Sequence, residues 1–426
     1  MRRLALVLAF AVSPCLCACD EPAASGQAPA APEPPPEGPP PTLPAPTVLW
    51  VGGDVLPSGP FRRAMQRVGD PAAAFAEVLA PTMKLMSDGF VLVNMEAPVA
   101  HEVRIENDAF LHLKQGSRRV RTPLNASPFF LEGLAQAGVD GVMLANNHTL
   151  DQTRDGLGET IDNAVSAGLT VTGAGFAPNV GWPFVLGEEG ARMAVLTYFE
   201  RDHPEPELAP GTPGLSIFGP NVVEEVRQAR QAHEAVVVIV HVVYELRTRI
   251  KPEWRSWTQE LVDAGADAVL LHGQHVTAPI ETLVTSSGRR AVVAYGLGNF
   301  VSDMGVRARP GRAVPEDPEK WDLPQTREGL VAKVELRDGE VQTSFLPIFV
   351  GSTRYLVYNQ ALEGPPRYTL LPLAGCGPAT DLPGDWAEPF RSELIEWHTE
   401  RRDHLLTVSG LADAPCEPSI LRPLRP

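Results

Sequence analysis

Short apolar runs that alternate with helical segments constrain the fold of this 426-residue chain more than any other feature of its sequence. Residues Ala235 to Val240 are all apolar and mostly β-branched, as in a strand buried on both faces of a sheet. The other predicted strands are residues 48–51, 90–93, 141–144, 169–172, 193–198, 268–271 and 291–295. The predicted helices between them are residues 72–86, 128–137, 156–167, 221–233 and 254–264. The alternation predicts an α/β fold in which helices cover the sheets.

The pattern changes toward the end of the chain. Residues 329–336 and 341–349 are two strand-like runs on either side of Asp338-Gly339, a pair typical of hairpin turns. Residues 305–327 are rich in Pro and charged side chains and predict a long loop, whereas residues 389–404 predict a helix within a Pro-rich tail. We therefore assign one large domain to residues 48–350 and a C-terminal extension to residues 351–426.

The first residues of the chain have the composition of a targeting segment. Arg2 and Arg3 precede the apolar run Leu4 to Val12, which is too short to span a bilayer as a helix. A small residue before Cys19 is typical of a lipoprotein cleavage site. Residues 1–18 are then a signal peptide, and residues 19–47 are a lipidated Cys19 followed by an extended Pro/Ala-rich linker. The alternative is an ordinary secretory signal, and either reading exports the protein.

The net charge and the positions of the cysteines limit which partners and which kinds of site this chain can have. The formal net charge of -16 argues against a nucleic-acid partner, because that binding needs clustered Lys and Arg, but it allows a phosphorylated substrate held by metal ions. Outside the targeting segment the cysteines are Cys376 and Cys416, which could form a disulfide in an oxidising compartment. Their distance in sequence from the polar motifs argues against a thiolate metal site. With a lipid anchor at Cys19, we expect a membrane-anchored lipoprotein facing the periplasm or the cell surface.

Polar clusters follow the predicted strands one after another, at the strand ends where α/β folds bind ligands. Taken singly, each cluster could equally be a turn, a helix cap or a hydrogen-bonded buried histidine. Together they form a set of nitrogen and oxygen ligands that suits Mn, Fe, Zn or Mg better than a soft metal. The clusters are Gly52-Gly53-Asp54, Asn94-Met95-Glu96, Ala145-Asn146-Asn147-His148-Thr149-Leu150-Asp151, His241 with Glu245, and His272-Gly273-Gln274-His275.

In their order, these clusters resemble the motifs of the poly-gamma-glutamate capsule biosynthesis (CapA-type) family, a branch of the calcineurin-like metallophosphoesterase superfamily. Pro279-Ile280-Glu281 and Tyr295-Gly296-Leu297-Gly298-Asn299-Phe300 also fit, so the resemblance covers residues 48 to about 303. It implies a four-layer αββα sandwich. It also implies divalent cations bound by Asp54, Glu96, Asn147, His241 and His275, with His148 as general acid. Further candidate site residues are Asn94, Asp151, Glu245, His272 and Asn299.

Three departures from the family pattern concern the candidate site. The usual His-Pro-His reads Gly273-Gln274-His275 here, so one expected histidine is absent. His272, one residue earlier, is a candidate substitute for it, but alternation along a strand predicts that its side chain points away from the site. The Met and Arg usual after the first Gly-Asp are missing, and the Gly expected two residues after His241 is Val243. We therefore expect metal affinity or activity that differs from the family pattern.

The resemblance leaves two functional hypotheses open. The first is a metal-dependent, phosphoesterase-like hydrolase that acts on a phosphorylated small molecule or an anionic polymer. The second is a non-catalytic module of cell-surface polymer assembly or export with a degenerate metal site. A role in poly-gamma-glutamate capsule formation is compatible with both. A plain structural lipoprotein is a third hypothesis.

Overall fold

The computed structural model describes residues 45–101, 104, 123–181, 183–201, 205–309, 313–314, 316, 318–358, 363–373 and 390–411. The predicted signal peptide, the lipidated Cys19, most of the linker and the proposed Cys376–Cys416 disulfide lie outside these residues.

The described residues form strands and helices in alternation. Strands β1 to β17 are Thr47–Leu56, Phe90–Met95, Gly141–Met143, Thr170–Thr172, Ala174–Phe176, Phe184–Leu186, Met193–Glu200, Pro213–Leu215, Ile217–Phe218, Ala235–His241, Ala268–His272, Ile280–Val284, Arg290–Ala294, Asn299–Ser302, Glu328–Arg337, Glu340–Ser352 and Tyr368–Pro372. Helices α1 to α8 are Gly59–Met65, Pro71–Met83, Phe129–Ala137, Thr153–Ser166, Val222–Ala232, Pro252–Ala264, Arg354–Tyr358 and Phe390–Ser409. Every strand and helix predicted from the sequence is confirmed, with its ends shifted by a few residues. The last residues of the first predicted helix, Lys84–Met86, form a 3-10 turn.

Local sequence signals set the ends of the helices. Asp70 caps α2, because its side chain accepts hydrogen bonds from the backbone N–H groups of Ala72 and Ala73, both at 3.1 Å. Pro71 occupies the first turn of this helix, where its missing N–H costs nothing. Helix α6 ends at Ala264, and the following Gly265 has a φ of 132°, a conformation that glycine tolerates best.

Two sheets carry the fold. The first has the strand order β17-β16-β15-β1-β2-β3-β4, with β14 pairing in parallel with the end of β1. The second has the order β12-β13-β11-β10-β7-β6, with β9 beside β7. Strands β1 to β4 are parallel to one another, as are β7, β10, β11 and β13. The predicted hairpin is confirmed as β15 and β16, which pair around Asp338 and Gly339, both with positive φ.

Three apolar layers show how the sheets and helices stack. The middle strand β10 is buried along its whole length and contributes to two of these layers. Val237 and Ile239 pack between the sheets against Leu49 of β1, whereas the alternate residues Val236 and Val238 pack against helices α5 and α6. The outer face of the first sheet is covered by α1 to α4. The predicted four-layer αββα sandwich is therefore confirmed.

The segment after residue 350 extends the first sheet and packs against it. Strand β17 pairs with β16, and Trp397 of α8 stacks edge-on against Phe349 with ring centroids 5.5 Å apart. Arg401 of the same helix bonds to the buried carboxylate of Glu328. No helix among the described residues is both long enough and apolar enough to cross a bilayer.

Candidate metal centre

A close approach between two strands places Asp54 at the centre of the candidate site. The sequence predicted that the first strand ends before Asp54, but β1 continues to Leu56 because β14 pairs with its last residues. The backbone N–H of Asp54 donates to the carbonyl of Gly298 at 3.2 Å. A Cβ on Gly53 would lie 1.8 Å from that carbonyl oxygen, so only glycine allows this approach. The pairing register with β2 shifts between Val51 and Asp54, a local irregularity of the kind that re-aims side chains near sites.

The carboxylate of Asp54 is fully buried and accepts hydrogen bonds on both oxygens. Asn94 Nδ2 and His272 Nδ1 each lie 2.9 Å from Oδ1. The backbone N–H of Gly273 donates to Oδ2 at 3.2 Å, and His275 Nδ1 lies 3.2 Å from the same oxygen. Burial alone would raise the pKa of Asp54, but the hydrogen bonds and charges of the two histidines outweigh it and hold this pKa well below its usual range. Asp54 is therefore an ionised group at the middle of the cluster.

Two groups of possible metal ligands share Asp54. The first is Asp54, His241 and His272, and the second is Asp54, Glu96 and His275; within each group the ligand atoms lie within 4.8 Å of one another. All five side chains are buried. Because cation–ligand bonds are about 2.0–2.6 Å long, ligand atoms at these separations can surround an ion without large movements. One carboxylate common to two ligand groups is the arrangement of a two-cation centre.

Measured separations connect the two groups as well. His241 Nδ1 lies 3.3 Å from His272 Nδ1 and 4.0 Å from Asp54 Oδ1. Glu96 reaches both groups, since its Oε1 lies 3.7 Å from His241 Nε2 and its Oε2 lies 3.7 Å from His275 Nδ1. The Nε2 atom of His272 is buried and has no hydrogen-bond partner within the described ranges. Mixed nitrogen and oxygen donors fit a divalent cation of the Mn, Fe, Zn or Mg type.

Two amide side chains border the ligand groups. Asn147 Oδ1 lies 3.0 Å from His241 Nε2, and Asn299 Oδ1 lies 3.1 Å from His275 Nδ1. The Nδ2 group of Asn299 donates to the carbonyl of Thr326 at 2.8 Å and to Ser302 Oγ at 3.0 Å. These bonds fix the amide so that its oxygen faces His275. Each ligand group therefore has a neutral oxygen donor beside it.

His148 lies at the rim of the centre rather than inside it. Its side chain is 14% exposed, whereas those of His241 and His272 are completely buried. Its Nδ1 lies 2.6 Å from Asp151 Oδ2, which also accepts a hydrogen bond from the backbone N–H of Leu124 at 2.8 Å. Asp151 therefore orients the ring of His148 at this rim.

Asn146, which was not predicted as a site residue, connects two of the predicted clusters. This side chain is buried, and its Nδ2 donates to Asn94 Oδ1 at 3.0 Å and to the carbonyl of Met95 at 2.9 Å. Its Oδ1 accepts a hydrogen bond from the backbone N–H of His148 at 3.0 Å. The only available signal was its place in the Asn-Asn-His motif. Asn146 thus connects the end of strand β2, directly before Glu96, to the loop that carries His148.

The prediction that His272 points away from the site was wrong. Strands β10 and β11 are parallel neighbours in which His241 pairs with His272, so the two side chains leave the sheet on the same face. The prediction assumed that strand alternation continues from His272 to position 273. The strand ends at His272, however, and Gly273 and His275 have φ values of 102° and 62°, so the alternation does not continue through this turn.

Position 273 contributes a backbone group instead of a side chain. A Cβ on Gly273 would lie 2.4 Å from the carbonyl oxygen of Val242 and 2.8 Å from Cε1 of His241. A histidine therefore does not fit here without displacing the His241 ligand. The N–H of Gly273 donates to Asp54, a contact that needs the close backbone approach.

The structure places Glu245 on the surface, outside both ligand groups. Its charge still acts on the centre. Burial lowers the pKa of His275, but the carboxylates of Glu96, Asp54 and Glu245 raise it to about 9. For His241 the balance is the opposite, because burial and the neighbouring His272 lower its pKa well below the usual range.

The region that contains the candidate site matches a known protein family. Residues 48–304, more than half of the chain, match the family described as bacterial capsule synthesis protein PGA_cap. The PGA biosynthesis protein CapA of Bacillus subtilis (strain 168) is 25% identical over 220 residues, which are 51% of this chain and 54% of that protein. The capsule biosynthesis protein CapA of Bacillus anthracis is 27% identical over 191 residues, 43% of this chain and 44% of that protein. The matches thus span about half the length of these curated relatives.

Comparison with solved structures finds distant similarity to two nucleotidases. A putative 5'-nucleotidase from Staphylococcus aureus in complex with alpha-ketoglutarate matches 84% of this chain and 58% of its own, with a TM-score of 0.39 and 10% identity. The NAD nucleotidase (NadN) of Haemophilus influenzae matches 71% of this chain and 49% of its own, with a TM-score of 0.37 and 8% identity.

Proposed function

This chain belongs to the bacterial capsule synthesis protein PGA_cap family, and we propose that it is an exported protein of poly-gamma-glutamate or capsule polymer biosynthesis with a two-cation, phosphoesterase-like hydrolytic centre. The observation that supports the proposed hydrolytic centre is that two buried groups of possible ligands share the carboxylate of Asp54. The names of the CapA relatives support the biosynthetic part. The substrate class we propose is a phosphorylated small molecule or an anionic polymer.

The residues present fit two divalent cations. Asp54, His241 and His272 would hold one cation, and Asp54, Glu96 and His275 would hold the other. The amide oxygens of Asn147 and Asn299 are placed to complete the two sets. Bound cations supply Lewis-acid polarisation of a phosphoryl oxygen and lower the pKa of water.

His148 is the residue we assign to proton transfer. Because Nδ1 is bonded to Asp151, we assign donation of a proton to a leaving oxygen to Nε2 of His148. The carboxylate of Asp151 holds the ring in one orientation. The partial exposure of His148 at the rim suits contact with a substrate better than the full burial of the ligand histidines does.

A non-catalytic module of polymer assembly or export is the second candidate function. Gly273 favours it, because this position supplies no side-chain ligand. Under this hypothesis the centre binds cations and an anionic ligand without turnover.

We also propose that a lipid on Cys19 anchors the exported chain to a membrane, with the domain on the periplasmic or outer side. The support is the short apolar run that precedes Leu16-Cys17-Ala18-Cys19 and the Pro-rich linker that follows it. Replacing Cys19 with Ser should release the protein from the membrane fraction. A Cys19→Ser protein that still carried acyl chains would contradict the assignment.

Hydrolysis of p-nitrophenyl phosphate by the manganese-loaded protein tests the proposed activity. We expect turnover that disappears on addition of a chelator and returns when manganese is restored. A protein that binds the cations but hydrolyses neither monoesters nor diesters of phosphate would instead support the non-catalytic function.

A further inference from the structure

A basic loop follows the ligand strand β10. Residues 243–251 contain three cationic side chains, Arg247, Arg249 and Lys251, and one acidic one, Glu245, in a chain whose formal net charge is -16. Lys251 lies over the rings of Tyr244 and Trp254, 5.0 and 4.9 Å from their centroids. Arg247 and Arg249 are exposed, and neither side chain has a hydrogen-bond or ion-pair partner in the described part of the chain. The two guanidinium groups are therefore free to bind an anionic ligand.

The loop runs alongside the segment that supplies two of the candidate ligands. Val242, directly after His241, donates its N–H to the carbonyl of His272 at 2.8 Å. Leu246 donates its N–H to the carbonyl of Gln274, also at 2.8 Å. Arg247 is the next residue, and consecutive Cα atoms are about 3.8 Å apart. The two arginines therefore extend from a backbone that is hydrogen-bonded to the turn between His272 and His275.

The loop is held in a conformation that its sequence does not favour. Leu246 has a φ of 61°, which is uncommon for a side chain of this size. The other non-glycine residues with positive φ in the described part of the chain are Thr153, His275 and Asp338, and His275 belongs to the candidate centre. Such conformations persist where surrounding contacts impose them, and they are concentrated at ligand sites. Tyr244 of the loop packs edge-on against Trp254 of α6, with ring centroids 5.7 Å apart, and this contact holds the start of the loop.

We propose that Arg247 and Arg249 form an anion-binding strip that holds successive carboxylates of a polyanionic ligand whose neighbouring group lies at the cation centre. The proposal rests on the proposed function of that centre. Guanidinium groups pair with carboxylates through two parallel hydrogen bonds and are weakly hydrated, which suits them to this task. A strongly acidic chain repels anions over most of its surface, so a local cationic strip decides where a polyanion can approach.

A polymer with repeated carboxylates fits the strip better than a small phosphate ester does. The centre alone can bind a single phosphate or carboxylate through its cations. Two further cationic groups outside the centre add nothing for a ligand that ends there. The two arginines add to the binding affinity only when the ligand continues along the loop. The strip therefore makes the affinity depend on the length and charge of the ligand.

The test uses the full chain loaded with manganese and a fluorescently labelled oligo-glutamate, with binding followed by fluorescence anisotropy. The variant is Arg247→Gln with Arg249→Gln. The matched control is Arg192→Gln with Arg290→Gln, two exposed arginines at the starts of β7 and β13, at the opposite ends of the parallel strands from the centre. We expect the Kd for oligo-glutamate to rise about tenfold in the strip variant, because it loses two charged contacts with the ligand; a tenfold change corresponds to about 1.4 kcal/mol. Its salt dependence should flatten, and the control should match the wild type.

Inorganic phosphate separates this proposal from the proposed function. A single phosphate bound at the cation centre does not extend along the loop, so its affinity and the manganese content should be the same in all three proteins. Equal oligo-glutamate affinity in the strip variant and its control, or no oligo-glutamate binding by the wild type, would overturn the strip. A wild-type chain that takes up no manganese would overturn the two-cation centre, while the comparison of oligo-glutamate affinities would still decide the role of the arginines.

Discussion

The carboxylate of Asp54 on the first sheet accepts a hydrogen bond from His272 on the second sheet, with Oδ1 and Nδ1 2.9 Å apart. This contact connects the two sheets at the carboxyl ends of their parallel strands. It also places His272 in the ligand group that contains His241. The candidate cation centre therefore lies across the interface between the sheets.

The first prediction concerns His272. Replacing His272 with Ala should remove one cation and leave the other, because His272 belongs only to the ligand group that contains His241. Metal analysis of the purified protein would show the loss. Replacing the exposed His101 with Ala serves as the control and should leave the metal content unchanged. Full cation content in the His272→Ala protein would show that this histidine is not a ligand.

The second prediction concerns proton donation by His148. His148→Gln should leave the cation content nearly unchanged and lower kcat by about 10²–10⁴-fold for an alkyl phosphate, whose leaving group needs a proton. The loss should be much smaller for p-nitrophenyl phosphate, because nitrophenolate leaves without protonation. Asp151→Asn should change the pH profile of kcat, since Asp151 acts through the His148 ring. Equal losses on both esters would argue against general-acid catalysis.

The third prediction concerns Gly273. A Gly273→Ala substitution places a Cβ against Val242 and the ring of His241, so it should lower both manganese affinity and the free energy of unfolding, the latter by about 1–3 kcal/mol. Gly211→Ala is the control, because Gly211 also has a positive φ, 80°, but no atom lies within 4 Å of its added Cβ. The control should cost stability without affecting manganese. Retained manganese affinity in Gly273→Ala would contradict the steric argument.

The fourth prediction concerns the buried Glu328. Burial raises the pKa of its carboxyl group from 4.5 to about 7, although Arg401 opposes the rise. Between these values the folded state holds a proton that the unfolded state has released, so the contribution of this group to the free energy of unfolding falls as pH rises through this window. In total, the contribution of Glu328 to the free energy of unfolding falls by about 3 kcal/mol once the pH is above 7. Below pH 4.5 the carboxyl group of Glu328 is protonated in both the folded and the unfolded state. The free energy of unfolding then no longer depends on its ionisation.

Glu328→Gln keeps the shape of the protonated form and tests this pH dependence. The stability of the wild type relative to Glu328→Gln should decrease between pH 5 and pH 7, as measured by denaturant unfolding. Replacing the exposed Glu189 with Gln should leave the pH dependence unchanged. A constant difference between wild type and Glu328→Gln across this range would show that Glu328 is ionised throughout.

The sequence predicted the strands and helices that carry strong patterns. The all-apolar run of β10 could only be a buried strand, yet the run itself does not show that Val237 meets the other sheet and Val236 meets the helices. The order of layers came from the family resemblance instead. Strands β5, β8, β9 and β14, which have two to four residues each, were missed because so short a segment shows no period.

The site was predictable to the extent that its ligands follow strands. Asp54, Glu96, His241 and His275 were all named from their positions after apolar runs, and the structure brings them together. His272 was assigned the wrong direction because positive φ values at Gly273 and His275 interrupt the strand geometry. Backbone donors such as the N–H of Gly273 leave no signal in residue type.

Metal content of the full-length wild type and of Asp54→Asn tests the two-cation centre most directly. Asn has nearly the same shape as Asp, which matters because Asp54 is fully buried and a truncation would leave a cavity. Since both ligand groups share this carboxylate, the account predicts two divalent cations per wild-type chain and the loss of both in Asp54→Asn, with the protein still folded. A wild type without bound cations, or an Asp54→Asn protein that keeps both, would contradict it.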